Sequence, residues 1–301
     1  FYYNNDTITS VITNYITKLF RYYDIKNIRR FKNMNQKTNY HTHTPLCKHA
    51  SGLNAAEYAK AAYDAGLTVL GFSDHAPFKD HDFGYRMDYD ELPLYFEQVD
   101  GLKEQYKNTM EVRKGLEIEY LPYYLKKSYP GHRNYYEYLI EDQKCDYLLL
   151  GEHFFMDKDD SILNLYHVNN TEAFIFYAKA CVEAMSTGYF DIIAHPDLFG
   201  VNSFPWDKNC DIACDMILEG ALKYNMVIEF NANGYRRGIH NYPDGDRYMY
   251  PLNAFWKKVE NTSIPVIIGS DNHSPEQIWD YAIEKAQNYL STIPVKLIKT
   301  I

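Results

Sequence analysis

The sequence contains few cysteines and no long apolar run, and both absences exclude classes of protein. None of its 301 residues lies in a stretch of about 18 consecutive apolar residues, so we expect no membrane-spanning helix. The five cysteines include no Cys-x-x-Cys pair, which argues against a disulfide scaffold and favours reduced thiols in a cytoplasmic protein. With 46% hydrophobic residues, the chain is still long enough to bury a substantial core.

An excess of positive charge is also absent from most of the chain. The first 33 residues carry six Lys or Arg and only two Asp or Glu, although the total charge is −9, so the remainder has a net charge of −13. Because nucleic-acid binding needs a basic surface, this acidic body argues against DNA or RNA as the main partner. A phosphate-bearing small molecule would need local cations, either metal ions or particular arginines.

Residues 1–33 contain neither glycine nor proline and differ in composition from the rest of the chain. Their apolar residues are spaced as on one basic amphipathic helix, but they lack the apolar core of a secretory signal. We predict that the functional domain comprises residues 34–301, beginning near Met34, and that residues 1–33 are a dispensable extension. A transit peptide or a partner-binding helix is the alternative.

From residue 38 onward, short apolar segments alternate with longer amphipathic ones. Seven segments have the character of strands, at 38–43, 67–73, 110–120, 146–154, 190–197, 226–231 and 265–271. Five have helical spacing, at 54–66, 91–106, 172–188, 214–224 and 274–290. Strands that alternate with helices predict a parallel sheet with right-handed crossovers. Seven such units predict an α/β fold that closes, or nearly closes, into a barrel.

Metal-competent side chains recur at the ends of nearly all these strands. They are His41 and His43 on the first strand, Asp74 and His75 after the second, Glu117 on the third, His153, His195, Asn231 and Asp271 on the next four, and His273 just beyond. In a parallel barrel, the carboxyl ends of all strands open on one face, where active sites are built. The sequence therefore predicts that these side chains share one site.

Each of these residues also has a simpler interpretation when it is considered alone. His75 would be a hydrogen-bonded loop histidine, Glu117 half of a salt bridge, and Asp271 a helix cap. Their joint recurrence at strand ends favours a shared site over three unrelated roles. His41 and His43, at positions i and i+2 of a strand, point to the same side and can bind one cation.

The imidazoles outnumber the ligands of one four-coordinate ion, so we predict two to three divalent metal ions. Mixed His and carboxylate ligands suit Zn, Mn or Fe, with Glu117 or Asp271 able to bridge two ions. Such clusters activate water and bind the attacking and leaving oxygens of a phosphoryl group, so phosphoester hydrolysis is the leading prediction. Amide or amidine hydrolysis is the competitor, but no predicted strand ends in the lysine that often bridges two metals in such enzymes.

Seven motifs occur in the order found in one known family. They are HTHTPLCKHASG (41–52), GFSDHAP (71–77), GLEIEY (115–120), GEHF (151–154), AHPDLF (194–199), NANGYRRG (231–238) and GSDNHSPE (269–276). Together they resemble the PHP (polymerase and histidinol phosphatase) superfamily, and within it the histidinol-phosphate phosphatases. The resemblance implies a single-domain, distorted seven-stranded (β/α) barrel with a trinuclear metal centre. It also implies hydrolysis of L-histidinol phosphate to L-histidinol and phosphate in histidine biosynthesis.

The resemblance further implies which side chains bind each ion. His41, His43, Glu117 and Asp271 correspond to one site, Glu117 with His153 and His195 to a second, and His49, His75 and His273 to a third. Glu117 is the implied bridge and therefore a catalytic candidate. Asp74, or a nearby histidine, is the candidate that protonates the departing alcohol.

Four residues are predicted to contact the substrate. Arg236 matches the arginine of the family's N-x-x-G-x-R stretch, which begins at Asn231, and a planar guanidinium suits phosphate. Arg86 and His81 lie in the segment after the second strand and are the further candidates. For each arginine, a surface salt bridge is the alternative interpretation.

Two other functions stay open at this point. A related PHP phosphoesterase would act on a nucleotide, a sugar phosphate or phosphotyrosine. A catalytically silent metal-binding module would have lost ligands, whereas all nine candidate ligands are present. We expect a small phosphomonoester as substrate and no nucleic-acid or membrane partner, and we leave homo-oligomerisation open.

Overall fold

Eight parallel strands form the main sheet of the computed structural model, which describes residues 37–301. In chain order, which is also their order across the sheet, they are β1 (Thr38–Asn39), β2 (Val69–His75), β3 (Glu111–Ile118), β4 (Tyr147–Leu150), β7 (Ile192–Ile193), β8 (Val227–Asn231), β11 (Pro265–Gly269) and β12 (Lys296–Leu297). Two antiparallel hairpins follow β4 and β8: β5 (Phe154–Met156) with β6 (Ile162–Asn164), and β9 (Ile239–Tyr242) with β10 (Gly245–Tyr248). The predicted extension at 1–33 and its amphipathic helix lie outside the described residues.

Helices connect successive strands of the sheet. They are α1 (Ala55–Asp64), α2 (Leu92–Tyr106), α3 (Tyr135–Glu137), α4 (Glu172–Thr187), α5 (Lys208–Tyr224), α6 (Asn233–Arg236), α7 (Asn253–Val259) and α8 (Tyr281–Leu290). Side-chain caps fix where several of them begin. The Asn54 side chain accepts a hydrogen bond from the Ala56 N–H at the start of α1. Asp207 caps α5 in the same way, so this helix begins earlier than its predicted start at Cys214.

The sheet curls until the segments beyond β1 and β11 meet. Thr42, beyond β1, forms a parallel bridge with Asn272, beyond β11, and the His43 N–H donates to the Asn272 carbonyl at 3.1 Å. The Asn39 side chain donates to the Asn272 side-chain oxygen at 3.1 Å and accepts from the Ser270 N–H at 2.9 Å. The predicted (β/α) barrel is therefore confirmed, with all strand carboxyl ends on one rim.

Aromatic side chains fill the barrel beneath this rim. Tyr40 and Tyr147 belong to a buried cluster and pack edge to face, with ring centroids 5.7 Å apart. The Tyr147 ring occupies space next to Gly115, where a Cβ would overlap it. Because Tyr147 pairs with Gly115 in the sheet, two residues before Glu117, this cluster lies one layer below the rim.

The seven predicted strands are all present, but several short elements were not predicted. The hairpins, the two-residue β12 and the short helices α3, α6 and α7 are missing from the sequence interpretation, because none of them belongs to a longer segment with a clear periodic pattern. The predicted helix at 274–290 is divided, since Asp280 is extended and caps α8. Within residues 37–301, no helix has both the length and the apolar character needed to cross a membrane.

Candidate metal centre

The rim brings together all nine side chains that the sequence analysis proposed as metal ligands. They are His41, His43, His49, His75, Glu117, His153, His195, Asp271 and His273. Eight of them belong to groups of three whose nitrogen and oxygen atoms lie within 4.8 Å of one another. The ninth, His153, has its Nε2 atom 3.5 Å from Glu117 Oε1. Residues up to 232 positions apart in the sequence therefore form one cluster, as the strand-end pattern predicted.

Glu117, on β3, lies at the centre of this cluster. Its Oε2 atom is 3.0 Å from His75 Nδ1 and 3.3 Å from His41 Nε2, and its Oε1 atom is 2.8 Å from His195 Nε2. Gly151, on the neighbouring strand end, makes room for it, because a Cβ there would overlap the carboxylate. Since each oxygen faces different imidazoles, this carboxylate can bridge two cations.

Two further groups of ligand atoms flank Glu117. The Nε2 atoms of His41 and His43 are 3.1 Å apart, and Asp271 Oδ1 is 3.6 Å and 3.2 Å from them. Nearer the mouth, the His49 ring lies against the His273 ring, with centroids 4.4 Å apart, and against the His75 ring at 5.4 Å. These are the groupings that the resemblance implied for the first and third ions.

Four of the imidazoles have a hydrogen-bond acceptor next to Nδ1, and this contact orients the ring and its Nε2 atom. The Nδ1 atoms lie within hydrogen-bond distance of these acceptors: Glu229 for His41 (2.8 Å), Asp74 for His43 (3.3 Å), the Cys47 carbonyl for His49 (2.8 Å) and Glu119 for His153 (3.1 Å). A ring that donates through Nδ1 keeps its Nε2 lone pair for a metal ion. For His41, His43 and His153, the Nε2 atom is within 3.5 Å of Glu117.

Burial and charge shift the titration of these groups in opposite directions. Burial lowers the pKa of His43, but hydrogen bonds with neighbouring carboxylates raise it to about 9. Burial raises the pKa of Glu117, yet His41 and other imidazoles hold this pKa well below its usual range. Burial lowers the pKa of His75 to about 3 and that of His273 to about 2, so both rings are neutral at pH 7.

The donor set fits divalent cations. Five buried carboxylates lie in the cluster or next to it, and a buried arginine pairs with one of them: Glu117 and Asp271 within it, Asp74, Glu119 and Glu229 behind it, with Arg86 beside Glu119. Buried charge without a partner is costly, so cations in this space would compensate it. The ring atoms His195 Nδ1 and His273 Nε2 are buried and have no hydrogen-bond partner within residues 37–301. Mixed imidazole and carboxylate donors suit zinc, manganese or iron better than calcium or magnesium.

A cavity of about 630 Å³ opens above the cluster. Its floor contains Glu117, Asp271 and several of the imidazoles. Its walls are largely aromatic, with polar groups between the rings: Phe83, Tyr85, Phe154, Tyr166, Tyr250, Asn164, Asn233, Arg237 and Gln277. The cavity is large enough for a small molecule, and its size, concavity and mixed lining are typical of a ligand site.

Arg237 lines this cavity, as does Arg86, and the sequence analysis did not propose Arg237. Its guanidinium lies 5.7 Å from the centre of the Tyr250 ring, and it has no salt bridge with any carboxylate in the described part of the chain. The tandem Arg236–Arg237 was the available signal. Without the structure, nothing in the sequence showed which of the two faces the site.

Arg236, which the sequence analysis predicted to contact a substrate, lies outside the cavity lining. Its guanidinium forms a bidentate ion pair with Asp280, through Nε at 2.8 Å and Nη2 at 3.0 Å. It also donates to the carbonyls of Ser270 at 2.5 Å and Gln277 at 2.9 Å. These bonds anchor α6 to the cap of α8, so the simpler salt-bridge interpretation applies, in a largely buried form.

Arg86 and His81 are also placed differently from their predicted role. Arg86 reaches the cavity wall, but its guanidinium is 5% exposed and forms a bidentate ion pair with Glu119 at 3.0 Å for both bonds. It therefore supports Glu119, which in turn accepts from the His153 ring. His81 lies outside the cavity lining and packs on Phe83, with ring centroids 4.1 Å apart.

Asn231 and Asp74 lie behind the ligands and do not line the cavity. The Asn231 side chain donates to Glu229 at 2.8 Å and to Asp271 at 3.2 Å, so it orients two carboxylates. Asp74 is fully buried and accepts from the Thr44 N–H at 3.1 Å as well as from the His43 ring. The structure therefore places Asp74 behind the His43 ring and outside the cavity lining, whereas the sequence analysis proposed it as the group that protonates the departing alcohol.

Two buried carboxylates next to the ligands were missed. Glu119 lies two residues after Glu117, and Glu229 lies two residues before Asn231. Side chains at i and i+2 of a strand point to the same side, so this spacing was a usable signal. It was overlooked because one candidate was chosen on each of these two strands, Glu117 and Asn231, and the side chains two residues away were not considered.

Known proteins resemble this chain in sequence and in fold. A protein from Deinococcus radiodurans described as a probable histidinol-phosphatase is 27% identical over 243 residues, which cover 79% of this chain and 86% of that protein. The histidinol-phosphatase of Bacillus subtilis is 26% identical over 279 residues, which cover 83% of this chain and 97% of that protein. The solved structure of the Lactococcus lactis histidinol phosphate phosphatase, complexed with zinc, L-histidinol and phosphate, has a TM-score of 0.62 at 18% identity. The structural alignment covers 87% of this chain and 95% of the Lactococcus protein, and this similarity shows that the two share a fold.

The family assignment rests on a match over well over half of the chain. The sequence profile described as the PHP domain matches residues 39–233, from the strand before His41 to the segment after Asn231. This range includes seven of the nine candidate ligands, and the other two, Asp271 and His273, complete the same cluster. The chain belongs to the PHP domain family.

Proposed function

We propose that this protein is a metal-dependent phosphomonoesterase that hydrolyses L-histidinol phosphate to L-histidinol and phosphate, as a step of histidine biosynthesis. The observation that carries the proposal is the convergence of nine His, Glu and Asp side chains in one cluster, seven of which line a cavity that has an arginine in its wall. The names of its relatives from Deinococcus and Bacillus support the choice of substrate.

The nine converging side chains are proposed to hold two or three ions of zinc, manganese or iron. When bound, such ions supply an activated water and neutralise the phosphoryl oxygens. The chain's own contribution is to fix the ligands. Glu117 presents one oxygen to His75 and the other to His195, and Asp271 faces His41 and His43. Buried carboxylates behind the rings hold three imidazoles in place before any substrate arrives.

Arg237 is proposed to bind the phosphate. A guanidinium at the cavity wall with no carboxylate partner in residues 37–301 is available for an incoming anion, and its planar fork matches two phosphate oxygens. This role replaces the one predicted for Arg236. Phosphate bound in this way lies between a cation on the wall and the metal ligands on the floor.

The aromatic wall is proposed to hold the organic half of the substrate. Tyr85, Tyr166 and Phe154 line the cavity above the ligands, and Tyr85 is 75% exposed with its ring 5.4 Å from the His49 ring. An imidazole or an ammonium group is favoured against such rings by stacking and by cation–π attraction. The acidic body of the protein adds a favourable field for a cationic substrate.

Phosphate release measured on several substrates tests the proposal. The full chain, loaded with Mn²⁺ or Zn²⁺, is expected to act on histidinol phosphate with a kcat/KM at least about 100-fold above that for p-nitrophenyl phosphate, a sugar phosphate or a nucleotide. Similar values on all of these substrates would contradict the specific assignment and favour a general PHP phosphoesterase. Absence of turnover despite full metal loading would favour the silent metal-binding module.

The domain boundary is part of the same proposal. All nine candidate ligands and the cavity lining lie between residues 41 and 277. A chain that begins at Met34 is therefore expected to bind metal and turn over substrate like the full chain. An inactive or insoluble truncated protein would show that residues 1–33 are required.

A further inference from the structure

We infer that Glu229 is a positioning residue for the metal centre: its carboxylate, in space left by Gly269, holds His41 with the Nε2 atom directed at the cations. The inference rests on the metal-dependent function proposed above and deepens it. Glu229 is neither one of the nine candidate ligands nor part of the cavity wall. It acts through His41 and touches neither the cations nor the substrate.

The contacts of Glu229 are few and directional. Its side chain is almost fully buried, and its Oε1 atom lies 2.8 Å from His41 Nδ1. Its Oε2 atom accepts from the His195 N–H at 3.1 Å and from the Asn231 side chain at 2.8 Å, and it also lies 3.1 Å from His41 Nδ1. No Lys or Arg within residues 37–301 forms a salt bridge with it, so its closest ionic partner is the His41 ring.

Gly269 creates the space that this carboxylate occupies. Strands β8 and β11 are neighbours, and Gly269 pairs with Asn231, two residues from Glu229. A Cβ at position 269 would overlap the Glu229 carboxylate. The backbone of Gly269 does not have a positive φ, so its conformation does not require glycine. Glycine is needed here because a side chain would occupy the space of the carboxylate. The glycine therefore reserves a place for a carboxylate beside His41.

The two oxygens of Glu229 have different surroundings, and this makes an amide substitution informative: Oε1 is the oxygen nearer to His41 Nδ1, at 2.8 Å against 3.1 Å for Oε2. Oε2 faces two N–H donors, so a glutamine at this position must place its amide oxygen there to avoid unpaired donors. Its NH₂ group then faces His41 Nδ1 and donates to it. The His41 proton moves to Nε2, the atom that faces Glu117 and Asp271. A ring protonated at Nε2 has no lone pair to give a cation there.

The Glu229→Gln variant tests this positioning role through metal affinity. We expect its affinity for at least one of the bound ions to fall about 10–100-fold, measured for Mn²⁺ and Zn²⁺ by competition with a chromophoric chelator. The matched control is Glu152→Gln, because Glu152 is equally buried, accepts from the Tyr120 N–H at 2.8 Å and contacts no imidazole in the described chain. Wild-type affinity in Glu229→Gln, or the same loss in the control, would overturn the inference.

Glycine variants provide a second test that keeps every ionisable group. Gly269→Ala is expected to displace Glu229 and weaken metal binding to a similar extent. Gly101→Ala, in helix α2 with open space around the new methyl group, is the control and should bind metal normally. If Gly269→Ala does not fold, the double variant Glu229→Ala, Gly269→Ala removes the overlap. This double variant is expected to fold and to bind metal weakly. Normal metal affinity in the double variant would refute the positioning role of Glu229.

Metal affinity separates this inference from the proposed function. If the wild-type protein binds metal but does not hydrolyse histidinol phosphate, while Glu229→Gln loses affinity, the substrate assignment fails and the role of Glu229 stands. If the wild type hydrolyses histidinol phosphate and Glu229→Gln binds metal normally, the role of Glu229 fails and the proposed function stands.

Discussion

Replacing the two adjacent arginines one at a time is expected to produce opposite phenotypes. The Arg236 side chain is 8% exposed and pairs with Asp280 through two bonds of 2.8 and 3.0 Å. Breaking a buried ion pair by removing one partner costs about 3–5 kcal/mol. Arg236→Ala is therefore expected to lower the melting temperature by about 6–20 °C. Arg237 has no salt bridge in the described chain, so Arg237→Ala should change stability by less than about 0.5 kcal/mol.

Activity is expected to respond in the reverse order. A hydrogen bond between charged groups contributes about 1.5–3 kcal/mol, so Arg237→Ala should lower kcat/KM on histidinol phosphate about 10–150-fold. Arg237→Lys keeps the charge but loses the planar fork, and should recover part of this loss. Arg236→Ala should keep kcat/KM within a few-fold of wild type at a temperature where it is folded.

Phosphate release at saturating Mn²⁺ and differential scanning fluorimetry measure the two effects on the same samples. The reasoning fails if folded Arg236→Ala loses activity about 100-fold while Arg237→Ala keeps it. That pattern would return Arg236 to the role that the sequence motif predicted. It would also mean that the cavity wall with Tyr250 and Arg237 does not contact the phosphate.

Three further perturbations have defined outcomes. Glu117→Gln should remove about two ions per chain and lower kcat more than about 10³-fold, because both oxygens of the carboxylate face imidazoles. Elemental analysis measures the metal content, and an unchanged content would refute the bridging role. Carboxylates raise the pKa of His43 to about 9 and hold the pKa of His41 well above its usual value, so both rings are protonated at pH 7 when no metal is bound. Metal binding at pH 7 should therefore release about two protons, which calorimetry detects as a binding enthalpy that depends on the buffer. Because protons and metal ions compete for the same ring nitrogens, the apparent metal affinity should rise with pH up to about 9. A metal affinity that does not change with pH would contradict this prediction. Tyr85→Ala should raise KM about 2–10-fold with little change in stability, because the ring is exposed over the cavity, and an unchanged KM would remove it from the substrate site.

The periodic part of the fold was predictable because it repeats. Seven strands of alternating or continuous apolar character, separated by amphipathic helices, define a parallel barrel in the sequence, and the carboxyl-end rule then places His41, Glu117 and Asp271 on one rim. The candidate ligands are also the residues whose chemical types are most distinctive. The shorter elements were not predictable, because the hairpin β5–β6 or helix α7 has too few residues to form a pattern.

Side-chain direction at the strand ends and in the loops beyond them was decided only by tertiary packing. Asp74 looked like a catalytic residue at a strand end, yet it is sealed beneath the His43 ring. His81 was close to Arg86 in the chain, but it packs outside the cavity. In a strand, the two-residue period determines the side of the sheet to which each side chain points, whereas a loop has no such period. Residue type alone therefore could not distinguish a group that faces a ligand from one that supports it.

The sequence by itself determined the barrel, the gathering of nine ligand-type side chains at one rim and the membership in the PHP domain family. Only the tertiary structure decided that Arg237, and not Arg236, faces the cavity, and that Glu229 lies behind His41 in the space beside Gly269. The physical reason is the range of the interactions. Periodicity and residue chemistry act along the chain, whereas the partner of a buried charge is set by strands and helices that meet from distant parts of it.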